Sequence, residues 1–182
     1  MRVVIVYESM YGNTHMVADA IGAGLEPAAD VIVVPVSEAH PELLHDAALV
    51  VVGGPTHVHG MSRASTRTGA AEAAQKPDSG LTLEPGALGP GLRDWFGSLG
   101  HHRAKAAAFD TRATGPAALT GRASKGIARE LHRHGFDMAA EPESFIVTKD
   151  DHLVGGETAR ARAWGARLAA GIALEQAQSG RS

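Results

Sequence analysis

The chain has 182 residues, 44% apolar and 20% charged, with a formal net charge of -3 at pH 7. That length is enough for one domain with its own core, and so small a charge argues against nucleic acid or an anionic membrane surface as partner. It contains no cysteine, which excludes disulfides, thiol catalysis and cysteine-ligated zinc or iron–sulfur centres. The opening residues MRVVIVYES do not read as a signal peptide, and no apolar run reaches bilayer length, so a soluble cytoplasmic protein is expected.

In chain order, Val3 to Tyr7 is an unbroken, β-branched apolar run and predicts a buried parallel strand. Asn13 to Leu25 predicts a helix, with Met16, Val17, Ala20, Ile21 and Leu25 along one face. Val31 to Val36 is a second strand, and its Pro35 points to an edge position. Pro41 to His45 suggests a short helical turn, and Leu49 to Val52 a third strand running into Gly53-Gly54-Pro55-Thr56. From Ser62 to about Gly91 periodicity is lost, which predicts an irregular insertion. Leu92 to Leu99 returns to helical spacing, and Lys105 to Phe109 is a fourth strand followed by a loop from Asp110 to Gly121. A helix over Ser124 to His134, a fifth strand through Phe145-Ile146-Val147 that can begin near Phe136, and a final helix over Glu157 to about Leu174 complete the set. Trp95 and Trp164 stand at helical spacing among apolar residues and read as core.

Strands alternating with helices predict an α/β, doubly wound, five-stranded parallel sheet of order 2-1-3-4-5 in three α/β/α layers. The expected unit is a single domain over residues 1–174 with a frayed polar tail at 175–182. Ligands on such a sheet bind beyond the carboxyl ends of strands one and three, where the strand order reverses. Two Gly- and hydroxyl-containing loops, Glu8–Thr14 and Gly53–Gly60, follow those two strands.

The first loop is built to hold an anion. Backbone N–H groups at a helix start are unpaired and sit at the positive end of its dipole. Ser9, Tyr11 and Thr14 add hydroxyls, and Gly12 lets the backbone bend close to an anion. The loop has no Lys of the kind a triphosphate-binding GxxxxGK[ST] motif requires, which favours a single phosphate monoester. The plain alternative is a helix start capped by Ser9 or Asn13.

Tyr7 to Thr14 resembles the FMN phosphate loop of the flavodoxin family, and its Ser-Met-Tyr-Gly core is similar to WrbA-type NAD(P)H:quinone oxidoreductases. Gly53-Gly54-Pro55-Thr56 resembles the start of the second FMN loop, and Phe109-Asp110-Thr111-Arg112 stands in the place of the third. The resemblance implies a flavodoxin-like fold holding FMN without a covalent bond. Ser9, Met10, Tyr11, Gly12, Asn13 and Thr14 would wrap the phosphate, while Pro55, Thr56, His57, Val58, His59 and Gly60 would flank the isoalloxazine ring. Gly60 is the candidate for the flexible peptide near the flavin. Asp110, Thr111 and Arg112 would meet the ribityl chain, the ring edge or an acidic substrate; a purely structural pairing of Asp110 and Arg112 is equally open.

Against the family pattern, the second loop offers His57, Val58 and His59 where flavodoxins often stack aromatic rings, and the third loop has no aromatic residue. Arg63 and Arg67 follow a loop that tends to be acidic in flavodoxins. The paired histidines His57/His59, His101/His102 and His132/His134 supply too few convergent ligands for a metal centre, so no metal is expected. A phospho-receiver would need a carboxylate where Gly53 and Gly54 stand, and a hydrolase would need a GxSxG elbow. The expected function is electron transfer with a redox partner or a small-molecule electron acceptor, with no catalytic acid or base required and a homodimer conceivable. The alternatives are a WrbA-like NAD(P)H:quinone oxidoreductase and a flavodoxin-fold module without strong flavin binding.

Overall fold

The structure is a computed structural model that describes residues 1–179. Its strands are β1 (Arg2–Tyr7), β2 (Asp30–Pro35), β3 (Leu49–His57), β4 (Gly60–Met61), β5 (Lys105–Ala113), β6 (Asp137–Met138) and β7 (Glu143–Val147). The helices are α1 (Asn13–Leu25), α2 (Ala64–Ala74), α3 (Leu92–Ser98), α4 (Ala117–Thr120), α5 (Ala123–Arg133) and α6 (Glu157–Ser179). Two 3-10 turns, Val36–Glu38 and Pro41–Leu44, connect β2 to β3.

The parallel sheet runs β2-β1-β3-β5, and both β6 and β7 pair in parallel with β5 as the fifth position. Three steps along β5, Ala106 to Phe109, are matched by five on its neighbour, Met138 to Glu143. The expected fifth strand is therefore real but broken, with Pro142 in the break, where the missing N–H would interrupt a ladder. β2 pairs only with β1, so Pro35 does lie on an edge strand.

Residue parity sorts the core. Val4, Val6, Val50, Val52, Ala106 and Ala108 face α3 and α5, whereas Val3, Ile5, Leu49, Val51, Ala107 and Phe109 face α1 and α6. This period of two on a sheet covered on both sides explains why these strands read as continuous apolar runs. Phe109, Phe145 and Trp164 meet edge-on with centroids 6.2 to 6.5 Å apart, contacts worth about 0.5–1.5 kcal/mol each beyond burial. Trp95 is buried as core and donates its indole N–H to the Ala39 carbonyl at 2.7 Å.

α1 and α6 pack backbone to backbone. A Cβ at Gly24 would run into the carbonyl of Arg162, and one at Gly165 into the carbonyl of Ile21. This crossing anchors the helix that follows the Glu8–Gly12 loop.

Several boundaries differ from the sequence reading, among them β3, which continues past Val52 to His57, and the expected 110–121 loop, which contains α4. The 62–91 stretch is not wholly irregular, because Ala64–Ala74 forms α2; its apolar residues are all alanine, so no large side chain marks a face. β5 continues to Ala113, which puts Asp110, Thr111 and Arg112 on a strand rather than in a loop. α6 extends to Ser179, so the first part of the expected frayed tail is helical, and residues 180–182 lie outside the described residues. Lys105 helps hold that last turn through an ion pair to Glu175 at 2.9 Å.

Candidate functional site

β1, β3 and β5 end side by side, and their carboxyl ends open into a cleft of about 430 Å³, a size ordinary for a cofactor site. Ser9, Met10, Tyr11, Asn13 and Thr14 line it from the first loop, Pro55, Thr56, His57 and Val58 from the second, and Thr111 and Arg112 from β5.

The first loop turns sharply at Gly12, whose φ of 95° lies in the left-handed region where a side chain would be strained. Gly12 is the N-cap of α1 and makes no side-chain cap bond, so neither Ser9 nor Asn13 closes the helix in the ordinary way. Instead the Ser9 hydroxyl accepts the Gly12 N–H at 3.1 Å, and the Asn13 amide donates to the Asp151 carbonyl at 2.7 Å. The helix start is thus left facing the cleft with its first N–H groups lacking intrahelical acceptors. Thr14, almost fully buried, shares a hydrogen bond of 2.7 Å with the Thr111 hydroxyl. The Tyr11 hydroxyl donates to the Ala70 carbonyl at 2.7 Å and fastens the loop to α2.

Glu8 lies beneath the loop rather than in it. Its buried carboxylate accepts the Ser62 hydroxyl and, at 2.8 Å, the Leu92 N–H. Arg67 donates to the Ser62 hydroxyl at 3.1 Å and to Asp94 at 3.2 Å. Arg67 is 5% exposed, so it is not the basic rim residue its sequence position suggested. On the far side of the loop His15 stacks on Tyr7 at 4.4 Å and bonds Glu84 at 2.8 Å. The Glu84 N–H in turn donates to the Met10 carbonyl at 2.8 Å, tying the 81–90 segment to the loop. Burial, with the charges of Glu84, Asp19 and Glu38, pushes the Tyr7 phenol up to about 12.

In the second loop the left-handed residues are Val58 (φ 46°) and His59 (φ 70°), not Gly60. They form the two-residue turn between β3 and β4, in which His57 pairs with Gly60. Such turns need positive φ at both central positions and usually place Asn or Gly there; a β-branched Val is costly. Val58 is also 81% exposed at the mouth of the cleft. Burial lowers the His57 imidazole from its ordinary value and outweighs the nearby carboxylates of Glu8 and Asp151, which leaves it neutral at pH 7.

Four expected site residues do not line this cleft. Gly12 contributes only its backbone turn, while His59 and Gly60 face a neighbouring cleft across the Val58–His59 turn. Asp110 is fully buried, and its carboxylate accepts the Ser124 N–H at 2.7 Å at the start of α5. The parity of β5 explains this, since Asp110 points toward α5 and its neighbour Thr111 toward Thr14. Burial raises the Asp110 carboxyl above its ordinary value, against the Ser124 N–H and the Arg122 charge. Arg112 lines the cleft, but its guanidinium braces the following turn through the Gly115 carbonyl at 2.8 Å and the Thr120 hydroxyl at 3.0 Å.

Sequence reasoning missed Thr66 and Ala70 of α2, Ala113 of β5, and Val147, Thr148 and Asp151 in the loop at the end of β7, all of which line the cleft. The loop's only signal was its place after the fifth strand, at the same carboxyl edge of the sheet. Among the described residues no group of His, Asp and Glu is arranged to hold a metal ion. No helix among them is long and apolar enough to cross a membrane.

The sequence model of the flavodoxin family matches residues 5–90, which span both loops of the cleft. A flavodoxin from the domain Archaea superposes with a TM-score of 0.63 at 20% identity, covering 94% of this chain and 99% of the other. The chain is flavodoxin-like. Flavodoxin 1 of Bacillus cereus gives a TM-score of 0.62 at 19% identity over 92% and 97% of the two chains. A WrbA-like protein of Agrobacterium tumefaciens gives 0.52 at 20% identity over 95% and 98%. No curated protein sequence matches this flavodoxin-like chain. At these identities the structures establish the fold; the chemistry has to come from the cleft.

Proposed function

We propose that the protein binds FMN non-covalently in this cleft and carries electrons with it. The observation that supports this best is the uncapped start of α1, aimed into a cleft at the point where strand order reverses. An anion is the natural complement of that helix end. The N–H groups of Asn13 and Thr14 and the hydroxyls of Ser9 and Thr14 would hold the phosphate, with Thr111 fixing the Thr14 hydroxyl from β5. Tyr11 and His57 are the flat side chains lining the cleft, and they would flank the ring; a neutral His57 adds no positive charge beside it. When bound, FMN supplies the electron-transfer chemistry, and the chain supplies placement and exclusion of water.

Titrating the purified protein into FMN and following flavin fluorescence tests the reading. Quenching at micromolar protein is expected, and none at all would reject FMN as the cofactor.

A WrbA-like NAD(P)H:quinone oxidoreductase is the second reading. It is favoured by α2, whose Thr66 and Ala70 add a wall to the cleft. NADPH consumption that depends on added benzoquinone supports the enzyme, and none supports the carrier.

A further inference from the structure

A second cleft, of about 580 Å³, lies across the Val58–His59 turn from the first. His59 and Gly60 form the dividing wall, and Arg93, Arg122, Lys125 and Arg129 bring four cations into its lining. The single acid in that lining, Glu130, pairs with Arg133 at 3.2 Å. Arg93 donates to the Ser62 carbonyl at 3.0 Å, and Arg122 to the Ser144 hydroxyl at 3.1 Å and the Pro142 carbonyl at 2.5 Å. These acceptors are neutral; Arg122 also feels the buried Asp110 carboxyl, whereas Arg93 has no ion-pair partner among the described residues. Lys125 and Arg129 are exposed one turn apart on α5 and have no ion-pair partner among the described residues. A chain of net charge -3 thus concentrates positive charge on one face.

The turn and the short helix α4 that border this cleft carry exposed apolar side chains. Val58 is 81% and Leu119 71% exposed, and their segments are joined by the pairing of His59 with Gly121. Apolar groups beside an unneutralised charged surface are the make-up of a protein-docking face. A small phosphate is a poorer match, because the first N–H groups of α5 are already taken by Thr56 and Asp110. The cleft therefore offers side-chain charge without a backbone anion nest.

We propose that this face docks an acidic redox protein, beside the turn that separates it from the cofactor cleft. The choice of a redox protein rests on the FMN reading; the charge and the site of docking do not. In the docked pair one electron would leave the partner's reduced iron–sulfur centre and enter the flavin, or make the reverse journey, with no bond made or broken.

Calorimetric titration with an acidic [2Fe–2S] ferredoxin, on protein with and without FMN, tests the docking. Binding at about 20 mM salt should weaken at least tenfold at about 300 mM. K125E/R129E should weaken low-salt binding tenfold or more, whereas R162E/R167E on α6, with the same charge change, should stay within about twofold. Equal loss in both pairs, or no binding at low salt, overturns the proposal. So does tight binding of inorganic pyrophosphate at Lys125 and Arg129 without ferredoxin binding. FMN quenching on the same samples is an independent readout: its failure removes the flavin assignment, and the calorimetry still decides the docking face.

Discussion

Thr14 and Thr111, 97 residues apart in sequence, hold their hydroxyl oxygens 2.7 Å apart inside the protein. One begins α1 and the other stands near the end of β5, so a single hydrogen bond locks the anion loop to the centre of the sheet. A hydroxyl fixed this way needs little reorganisation to meet a phosphate.

S9A/T14A removes both candidate phosphate hydroxyls. Hydrogen bonds to a charged group contribute about 1.5–3 kcal/mol each, so FMN affinity should fall by roughly two orders of magnitude or more. Fluorescence titration reads the affinity, and circular dichroism checks that the variant is folded. Unchanged affinity would mean that the phosphate site is elsewhere.

Glu8 supports the loop without lining the main cleft. E8A leaves the Leu92 N–H and the Ser62 hydroxyl, which also accepts from buried Arg67, without their acceptor. A loss of about 2–4 kcal/mol in urea unfolding is expected, and a loss below 1 kcal/mol would reject the structural role.

Two glycine substitutions should have opposite signs. G24A pushes a methyl into the Arg162 carbonyl, whereas G69A on α2 meets open space. The first should cost about 1–3 kcal/mol through overpacking, and the second should add about 0.5–1 kcal/mol through helix propensity. Thermal melts of the two variants decide whether the α1–α6 crossing is as tight as described.

Asp110 gives a pH dependence. Its folded-state value is raised from 3.8 by burial, so the folded form holds its proton more tightly than the unfolded chain. Stability from this group is full below about 3.8 and is lost as pH rises through the raised value. D110N cannot titrate, and its stability relative to the parent should therefore climb as pH rises from about 3.8 through the raised value. Urea titrations across that range check it, and a constant difference would show that the buried carboxyl is not shifted.

Much of the fold was legible because local pattern and tertiary role agree. The β-branched runs at Val3–Tyr7 and Leu49–Val52 could only be satisfied inside a sheet, and the spacing of Val17, Ala20, Ile21 and Leu25 matches the buried face of the helix found there, although Met16, expected on that face, is exposed. α2 escaped notice because an alanine-rich segment with no large apolar residue has no 3.6-residue signature. The break in the fifth strand was hidden because register belongs to a pair of strands and not to either sequence.

The sequence by itself determined the strand–loop–helix at Glu8–Thr14 and the Gly-containing segment at the end of β3. Those features depend on neighbours within a few residues, through φ preference, apolar runs and unpaired helix N–H groups. Only the tertiary structure decided that Asp110 serves α5 while Thr111 serves the cleft, and that Arg67 is buried against Ser62 and Asp94. It alone placed His59 on a second, basic cleft. A side chain's role there depends on strand register and on partners dozens of residues away, and neither is encoded at the position itself.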